Sequence, residues 1–109
     1  MNRKNISVLG GGSWGTVLAY LASLNGNKVN LWMRDNNLAE EINSTRINLR
    51  YLPNLNLGKN ITATSQIEDI KESDLIIFCV PSDAFRDVSL VASSFINENT
   101  FLVTATKGV

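Results

Sequence analysis

Five short apolar runs, separated by stretches with helical periodicity, constrain the fold of this chain more than any other feature of its sequence. Such an alternation of strand-like and helix-like segments is typical of βαβ units, which build parallel sheets. The fourth run is apolar at every position from 75 to 80, as expected for a strand that helices cover on both faces. The sequence therefore predicts the α/β class, with a doubly wound parallel sheet. The predicted strands are NISVLG from residue 5, KVNLWM from 28, ITAT from 61, DLIIFCV from 74 and TFLVTAT from 100.

Helix signals fill most of the intervals between these runs. Residues 45–60 contain two glycine or proline breaks and are predicted as a long surface loop. The predicted helices are Ser13 to Leu24, a second beginning after an N-cap at Asp35, a short third with a capping box of Ser65 and Glu68, and a last from Ser82 or Asp83 to about Ile96. The apolar stripe expected on the first helix consists of Val17, Leu18, Leu21, Ala22 and Leu24.

Composition limits the partners and the location that we expect. The 109 residues suffice for one domain, and ten basic residues balance ten acidic ones, with no histidine. No global field therefore attracts nucleic acid or an anionic membrane. The apolar segment after the charged start MNRKN is too short and too interrupted by glycines for a signal peptide or a membrane span, so neither is expected. Cys79, the single cysteine, is expected in the core, and the chain is expected in the reducing cytoplasm.

A glycine cluster connects the first predicted strand to the first predicted helix. Gly10, Gly12 and Gly15 fit the spacing G-x-G-x-x-G, with Gly11 as an additional small residue. In a dinucleotide-binding (Rossmann) domain the first glycine makes a tight turn, the second lets the backbone approach the pyrophosphate, and the third lets helix pack on strand. The phosphates then meet free amides at the positive end of the helix dipole. Dinucleotide binding is the favoured interpretation, and a purely structural turn is the alternative.

The residues after the second strand bear on the choice of cofactor. Arg34 and Asp35 lie 19 and 20 residues beyond Gly15, where such domains contact the adenosine ribose. If the strand ends at Met33, the Arg34 guanidinium can bind a 2′-phosphate and Asp35 serves as an N-cap, which favours NADP. In the alternative, Arg34 is solvated and Asp35 binds the ribose of NAD.

The carboxyl ends of all the predicted strands share one edge of the sheet, where ligands bind in such folds. Gly10, Arg34, the turn at residues 80–82 and Lys107 are expected along that edge. Lys107 could hold a substrate phosphate or polarise a carbonyl there, or it could be an ordinary exposed lysine. The sequence ends at Val109, directly after the fifth strand, which predicts a domain truncated at its C-terminus.

Several short motifs carry a more specific resemblance. GGGSWGT, LWMRD, RYLPN, FCVPS and ATKG occur in the order and approximate spacing found in bacterial-type NAD(P)-dependent glycerol-3-phosphate dehydrogenases. The resemblance covers nearly the whole chain. It implies reversible hydride transfer between NADPH or NADH and dihydroxyacetone phosphate, giving sn-glycerol 3-phosphate for glycerophospholipid biosynthesis.

The resemblance also implies roles for individual residues. Ser13 and Trp14 would contact the cofactor, Arg34 its adenosine side, and Tyr51 would approach it from the long loop. Lys107 matches the family's lysine that contacts both nicotinamide and substrate, so it is the candidate catalytic and substrate-binding residue. For Trp14 the alternative is a ring packed over the helix start or against a further domain.

Family members continue into a helical substrate domain, so residues 1–109 are predicted to form a partial NAD(P)-binding domain. The expected partner is the small-molecule substrate, and the resemblance allows a homodimer of the complete enzyme. Two other interpretations stay open: a stand-alone dinucleotide-sensing module, and a related reductase of 2-oxo or hydroxy acids.

Overall fold

A computed structural model describes residues 3–105, and over this range the chain forms a five-stranded parallel sheet with helices on both faces. The strands lie in the order β3-β2-β1-β4-β5, so the chain reverses its direction of travel across the sheet between β3 and β4. The predicted α/β fold with a doubly wound parallel sheet is confirmed. The elements are β1 (Asn5–Leu9), α1 (Ser13–Leu24), β2 (Lys28–Trp32), α2 (Asn36–Thr45), β3 (Ile61–Thr64), β4 (Leu75–Phe78), α3 (Ser82–Ala92) and β5 (Phe101–Thr104), with short 3₁₀ helices at Ile67–Ile70 and Ser93–Phe95.

Two hydrophobic cores lie on opposite faces of the sheet. Alternate residues of each strand point to opposite faces, so Val8 and Leu31 pack in the core beneath α1 and α2, while Leu9 and Trp32 pack in the core beneath α3. The apolar run of β4 divides in the same way, because Phe78 lies in the α3 core and neighbouring side chains pack against the other. Strand β5 forms one edge of the sheet, and its four residues are exposed.

The packing face of α1 differs from the prediction. The predicted stripe is wrong at Leu21 and Leu24, which are 50% and 61% exposed, whereas Ala22 packs against the core. Small side chains face the sheet instead, because they allow the helix to lie close to β1. The buried residues of α1 are Gly15, Thr16, Ala19 and Ser23.

The cap of α2 is confirmed, whereas the predicted capping box is wrong. Asp35 Oδ1 accepts hydrogen bonds from the amides of Asn37 (2.9 Å) and Leu38 (3.2 Å). In the predicted box, Ser65 Oγ bonds to Asn36 Oδ1 (2.9 Å) and caps no helix. The segment that follows is a 3₁₀ helix, Ile67–Ile70, without a side-chain cap. The last helix, α3, ends at Ala92 and continues as the 3₁₀ helix to Phe95, close to the predicted end.

Between residues 3 and 105, no helix has the length and apolar character needed to cross a membrane. The longest helix, α1, has 12 residues. The same part of the chain contains no cluster of three or more side chains that could together ligate a metal ion.

Candidate dinucleotide-binding site

The glycine loop joins β1 to α1 at the carboxyl edge of the sheet. Gly10 has φ +132°, and a Cβ there would lie 2.4 Å from the Cys79 carbonyl oxygen. A Cβ on Gly15 would lie 1.9 Å from the carbonyl oxygen of Gly10. Glycine is therefore required at both positions by the close approach of β1, α1 and the end of β4. These are the structural roles that the motif predicts for the first and third glycines.

Gly12 is a glycine for a different reason. It is the N-cap of α1, with φ −75°, and a Cβ at this position would meet nothing within 4 Å. No side chain caps the first amides of α1. The start of the helix therefore presents free N–H donors and a positive dipole end to open space, which is the environment that a pyrophosphate requires.

Two cavities meet at this loop. The larger, which we call the β4 lobe, has a volume of about 800 Å³ and lies beside the ends of β4 and β5. The smaller, the β2 lobe, has about 300 Å³ and lies beside the end of β2. Both are lined by Gly10, Gly11, Gly12, Tyr51, Val80 and Pro81. A cleft with two lobes on either side of a phosphate-binding loop has the shape needed by a ligand with a pyrophosphate at its centre.

The β2 lobe contains charges of both signs. Arg34 is exposed there and has no hydrogen-bond or ion-pair partner among residues 3–105. Asp35 both caps α2 and accepts a salt bridge from Arg50 Nη2 through Oδ2 (3.0 Å). The Leu38 amide and then the Arg50 guanidinium hold the pKa of Asp35 below its ordinary value. The same pair raises the pKa of Arg50. Asp35 is thus the N-cap that the sequence predicted.

The long segment after α2 is anchored to the glycine loop, although the sequence predicted only a surface loop. Asn48 is fully buried, and its Nδ2 donates to the Gly11 carbonyl (3.0 Å) and to Thr16 Oγ1 (2.9 Å). Its Oδ1 accepts the Tyr51 amide (3.3 Å). Leu57 is also buried, in the core beneath α1 and α2. Neither Asn48 nor Arg50 was predicted as a site residue: Asn48 lies in a polar, aperiodic stretch that carries no signal of burial, and the motif RYLPN, which begins at Arg50, pointed only to Tyr51.

The residues expected to contact a cofactor surround the same loop. Ser13 Oγ donates to the Tyr51 carbonyl (3.3 Å), which ties the start of α1 to the long segment. Trp14 is 55% exposed and lines the β4 lobe, so its ring is not packed into the core of the described chain. Tyr51 lines both lobes, and the Arg50 guanidinium carbon lies 6.0 Å from the centre of its ring.

The structure tests the prediction made for Cys79 but not the one made for Lys107. Cys79 was expected in the core, but it is only half-buried, packs against the core beneath α1 and α2, and lines the β4 lobe. Burial raises the pKa of its thiol. Lys107 lies outside the described residues, which end at Ala105, itself a lining residue of the β4 lobe. The role of Lys107 stays a prediction.

Comparison with known proteins decides the family. Residues 5–109 match the family model described as NAD-dependent glycerol-3-phosphate dehydrogenase N-terminus. The chain belongs to this family. The glycerol-3-phosphate dehydrogenase (NAD(P)+) of Halothermothrix orenii is 41% identical over 105 residues, covering 95% of this chain and 31% of the relative. That of Rickettsia massiliae is 44% identical over 110 residues, covering 99% of this chain and 33% of the relative.

Solved structures of dehydrogenases from this family share the fold. Glycerol-3-phosphate dehydrogenase from Coxiella burnetii superposes with a TM-score of 0.92 at 32% identity, over 98% of this chain and 33% of that chain. The enzyme from Saccharomyces cerevisiae superposes with a TM-score of 0.88 at 25% identity, over 98% and 34%. The chain therefore spans about a third of the length of the family members it matches.

Proposed function

We propose that residues 1–109 are the NAD(P)-binding part of an sn-glycerol-3-phosphate dehydrogenase that interconverts dihydroxyacetone phosphate and sn-glycerol 3-phosphate. The observation that carries the proposal is the two-lobed cleft centred on the glycine loop, in a chain that belongs to this family. The proposed product is a precursor of glycerophospholipids. With its single cysteine, the chain suits the reducing cytoplasm. A homodimer of the complete enzyme stays a prediction.

The residues of the cleft fit a dinucleotide along its whole length. The first amides of α1 and the dipole of that helix would hold the pyrophosphate over Gly12, where no side chain intervenes. In a parallel sheet of this order, the adenosine half belongs in the β2 lobe and the nicotinamide half in the β4 lobe. When bound, the nicotinamide supplies the hydride for the substrate carbonyl.

Arg34 supports a preference for NADP. Its guanidinium lines the β2 lobe and has no competing partner among residues 3–105, whereas Asp35 is engaged by the α2 amides and Arg50. A free guanidinium can bind a 2′-phosphate through two parallel hydrogen bonds. We therefore expect NADPH to bind at least as tightly as NADH.

Lys107 is proposed as the catalytic and substrate-binding residue, on the strength of the family resemblance. Two residues before it, Ala105 lines the β4 lobe, where the nicotinamide is proposed to lie. An ammonium group beside the reacting carbonyl would stabilise the alkoxide that develops as the hydride arrives, or would pair with the substrate phosphate.

An assay of NADPH oxidation with dihydroxyacetone phosphate tests the proposed activity. We expect residues 1–109 alone to be inactive, since positioning a carbonyl against the nicotinamide needs more than one wall of a site and contributes about 7 to 11 kcal/mol to lowering the barrier. Produced together with a helical substrate domain, the chain should turn over the substrate. In that longer protein, Lys107→Ala should lower kcat by about 10² to 10³.

Two controls sharpen this assay. Lys71→Ala removes an exposed lysine that lines neither lobe, and should leave turnover unchanged. A 2-oxo acid without a phosphate should be a poor substrate for the proposed dehydrogenase. A related reductase of 2-oxo acids would instead prefer that compound to dihydroxyacetone phosphate. Full turnover by residues 1–109, or an unaffected Lys107→Ala enzyme, would contradict the assignment of roles.

A further inference from the structure

The β2 lobe holds a second guanidinium that comes from a different part of the chain. Arg34 follows β2, whereas Arg50 lies in the segment between α2 and β3, and both line the same cavity of about 300 Å³. Arg50 is about half exposed and bonded to Asp35, whose carboxylate lines the cavity as well. The place where an adenosine ribose is proposed to bind therefore contains one carboxylate and two guanidinium groups.

Each of these charges suits a different ribose. A 2′-phosphate is a dianion that needs guanidinium donors and is repelled by a carboxylate. A ribose 2′-hydroxyl is a hydrogen-bond donor that a carboxylate accepts, as an acidic residue at this position does in NAD-binding domains. The Arg50–Asp35 pair can serve both, because an exposed ion pair contributes little stability and either partner can exchange it for a ligand contact.

We propose that the Arg50–Asp35 ion pair determines how this chain discriminates between NADPH and NADH. With a 2′-phosphate, Arg50 leaves Asp35 and joins Arg34 in binding the phosphate. With a 2′-hydroxyl, Asp35 accepts its hydrogen bond and Arg50 stays with Asp35. The inference rests on the proposed function, since it assigns residues within the proposed cofactor cleft, and it adds Arg50 as a specificity-determining residue.

The segment that carries Arg50 is anchored to the glycine loop, which holds the guanidinium close to the β2 lobe. Buried Asn48, two residues earlier, fixes the segment to the glycine loop, and the Tyr51 carbonyl accepts a hydrogen bond from Ser13. Arg50 thus extends from a fixed backbone, and less conformational entropy is lost when its side chain binds an anion.

The test measures the dissociation constants of NADPH and NADH for the 109-residue chain by calorimetric titration, with 2′,5′-ADP and 5′-AMP as probes of the adenosine half alone. Arg50→Gln should weaken NADPH and 2′,5′-ADP by about ten-fold or more and leave NADH and 5′-AMP nearly unchanged. Asp35→Asn should shift the ratio in the opposite direction, by about three-fold or more, with NADPH tighter and NADH weaker. Asparagine is as good an N-cap as aspartate, so α2 is retained.

Two further variants control for net charge and for the planar shape of the guanidinium. Lys28→Gln removes a cation at the other end of β2, far from the lobe, and should leave the ratio of the two constants unchanged. Arg50→Lys keeps the charge without the planar fork, and should retain only part of the preference for NADPH. Urea unfolding of each variant verifies that it folds.

The outcomes separate this inference from the proposed function. If the folded wild-type chain binds neither NADPH nor NADH, the proposed function fails and the inference with it. If the wild type binds, and Arg50→Gln weakens both cofactors equally or Asp35→Asn leaves the ratio unchanged, only the inference is overturned. Arg50 would then be a residue that positions the loop.

Discussion

At the scale of single residues, the three glycines of the loop have separable physical roles. Gly10 and Gly15 are required by the fold, because a methyl group at either position would overlap a backbone carbonyl. Gly12 has an ordinary φ and open space around its Cα, so the fold itself does not require glycine there. A glycine at this position leaves room for the pyrophosphate that we propose to bind over it.

Replacement of Arg34 tests the preferred cofactor. Arg34→Ala removes the one guanidinium of the β2 lobe that has no partner among residues 3–105. Because hydrogen bonds to charged groups contribute about 1.5 to 3 kcal/mol, NADPH should bind about ten-fold or more weakly, and NADH should be little changed. Titration with each cofactor measures the two dissociation constants. An equal loss for both would show that Arg34 has a structural role.

At the scale of elements, the segment between α2 and β3 connects the fold to the site. It begins at Arg46, which has φ 64° and donates from Nε to the Gly58 carbonyl (2.7 Å) and from Nη2 to the Ile61 carbonyl. These bonds close the segment on itself, and Asn48 fixes it to the glycine loop. The element places Arg50 and Tyr51 beside the cleft without belonging to a helix or a strand.

Replacement of Asn48 should therefore lower the stability of the protein more than replacement of an exposed residue in the same segment. Asn48→Ala leaves the Gly11 carbonyl, the Thr16 hydroxyl and the Tyr51 amide without their partner, which should lower the free energy of unfolding by about 1 to 3 kcal/mol. Asn54 is exposed in the same segment, and Asn54→Ala should change it by less than about 0.5 kcal/mol. Urea denaturation measures both values. Equal effects of the two substitutions would contradict the anchoring role.

At the scale of the whole molecule, the sequence predicted the order of elements because each has a local signal. The apolar runs marked all five strands, and α1 has the bounds that were predicted for it, Ser13 to Leu24. The packing face of α1 was not predicted. Gly15, Thr16 and Ala19 are buried there because they are small, and they do not form an apolar pattern in the sequence.

The site was predictable to the extent that it follows from motifs. The glycine loop and Arg34 lie where their spacing from β1 and β2 indicated. Asn48 and Arg50 could not be predicted, because their importance comes from contacts with residues distant in sequence: Asn48 bonds to Gly11, 37 positions away. Such a tertiary contact leaves no periodicity or composition for the sequence to show.

The proposed binding of a dinucleotide across the glycine loop is tested most directly by one titration. The wild-type chain and Gly12→Asp are titrated with NADPH, and the urea unfolding of both is measured. Aspartate is a preferred N-cap and carries a negative charge at the start of α1, so the variant should be as stable as the wild type. Its carboxylate would occupy the space over Gly12 and repel the pyrophosphate. We predict saturable binding of one NADPH by the wild type and no measurable binding by Gly12→Asp; equal binding by both, or none by the folded wild type, would contradict the claim.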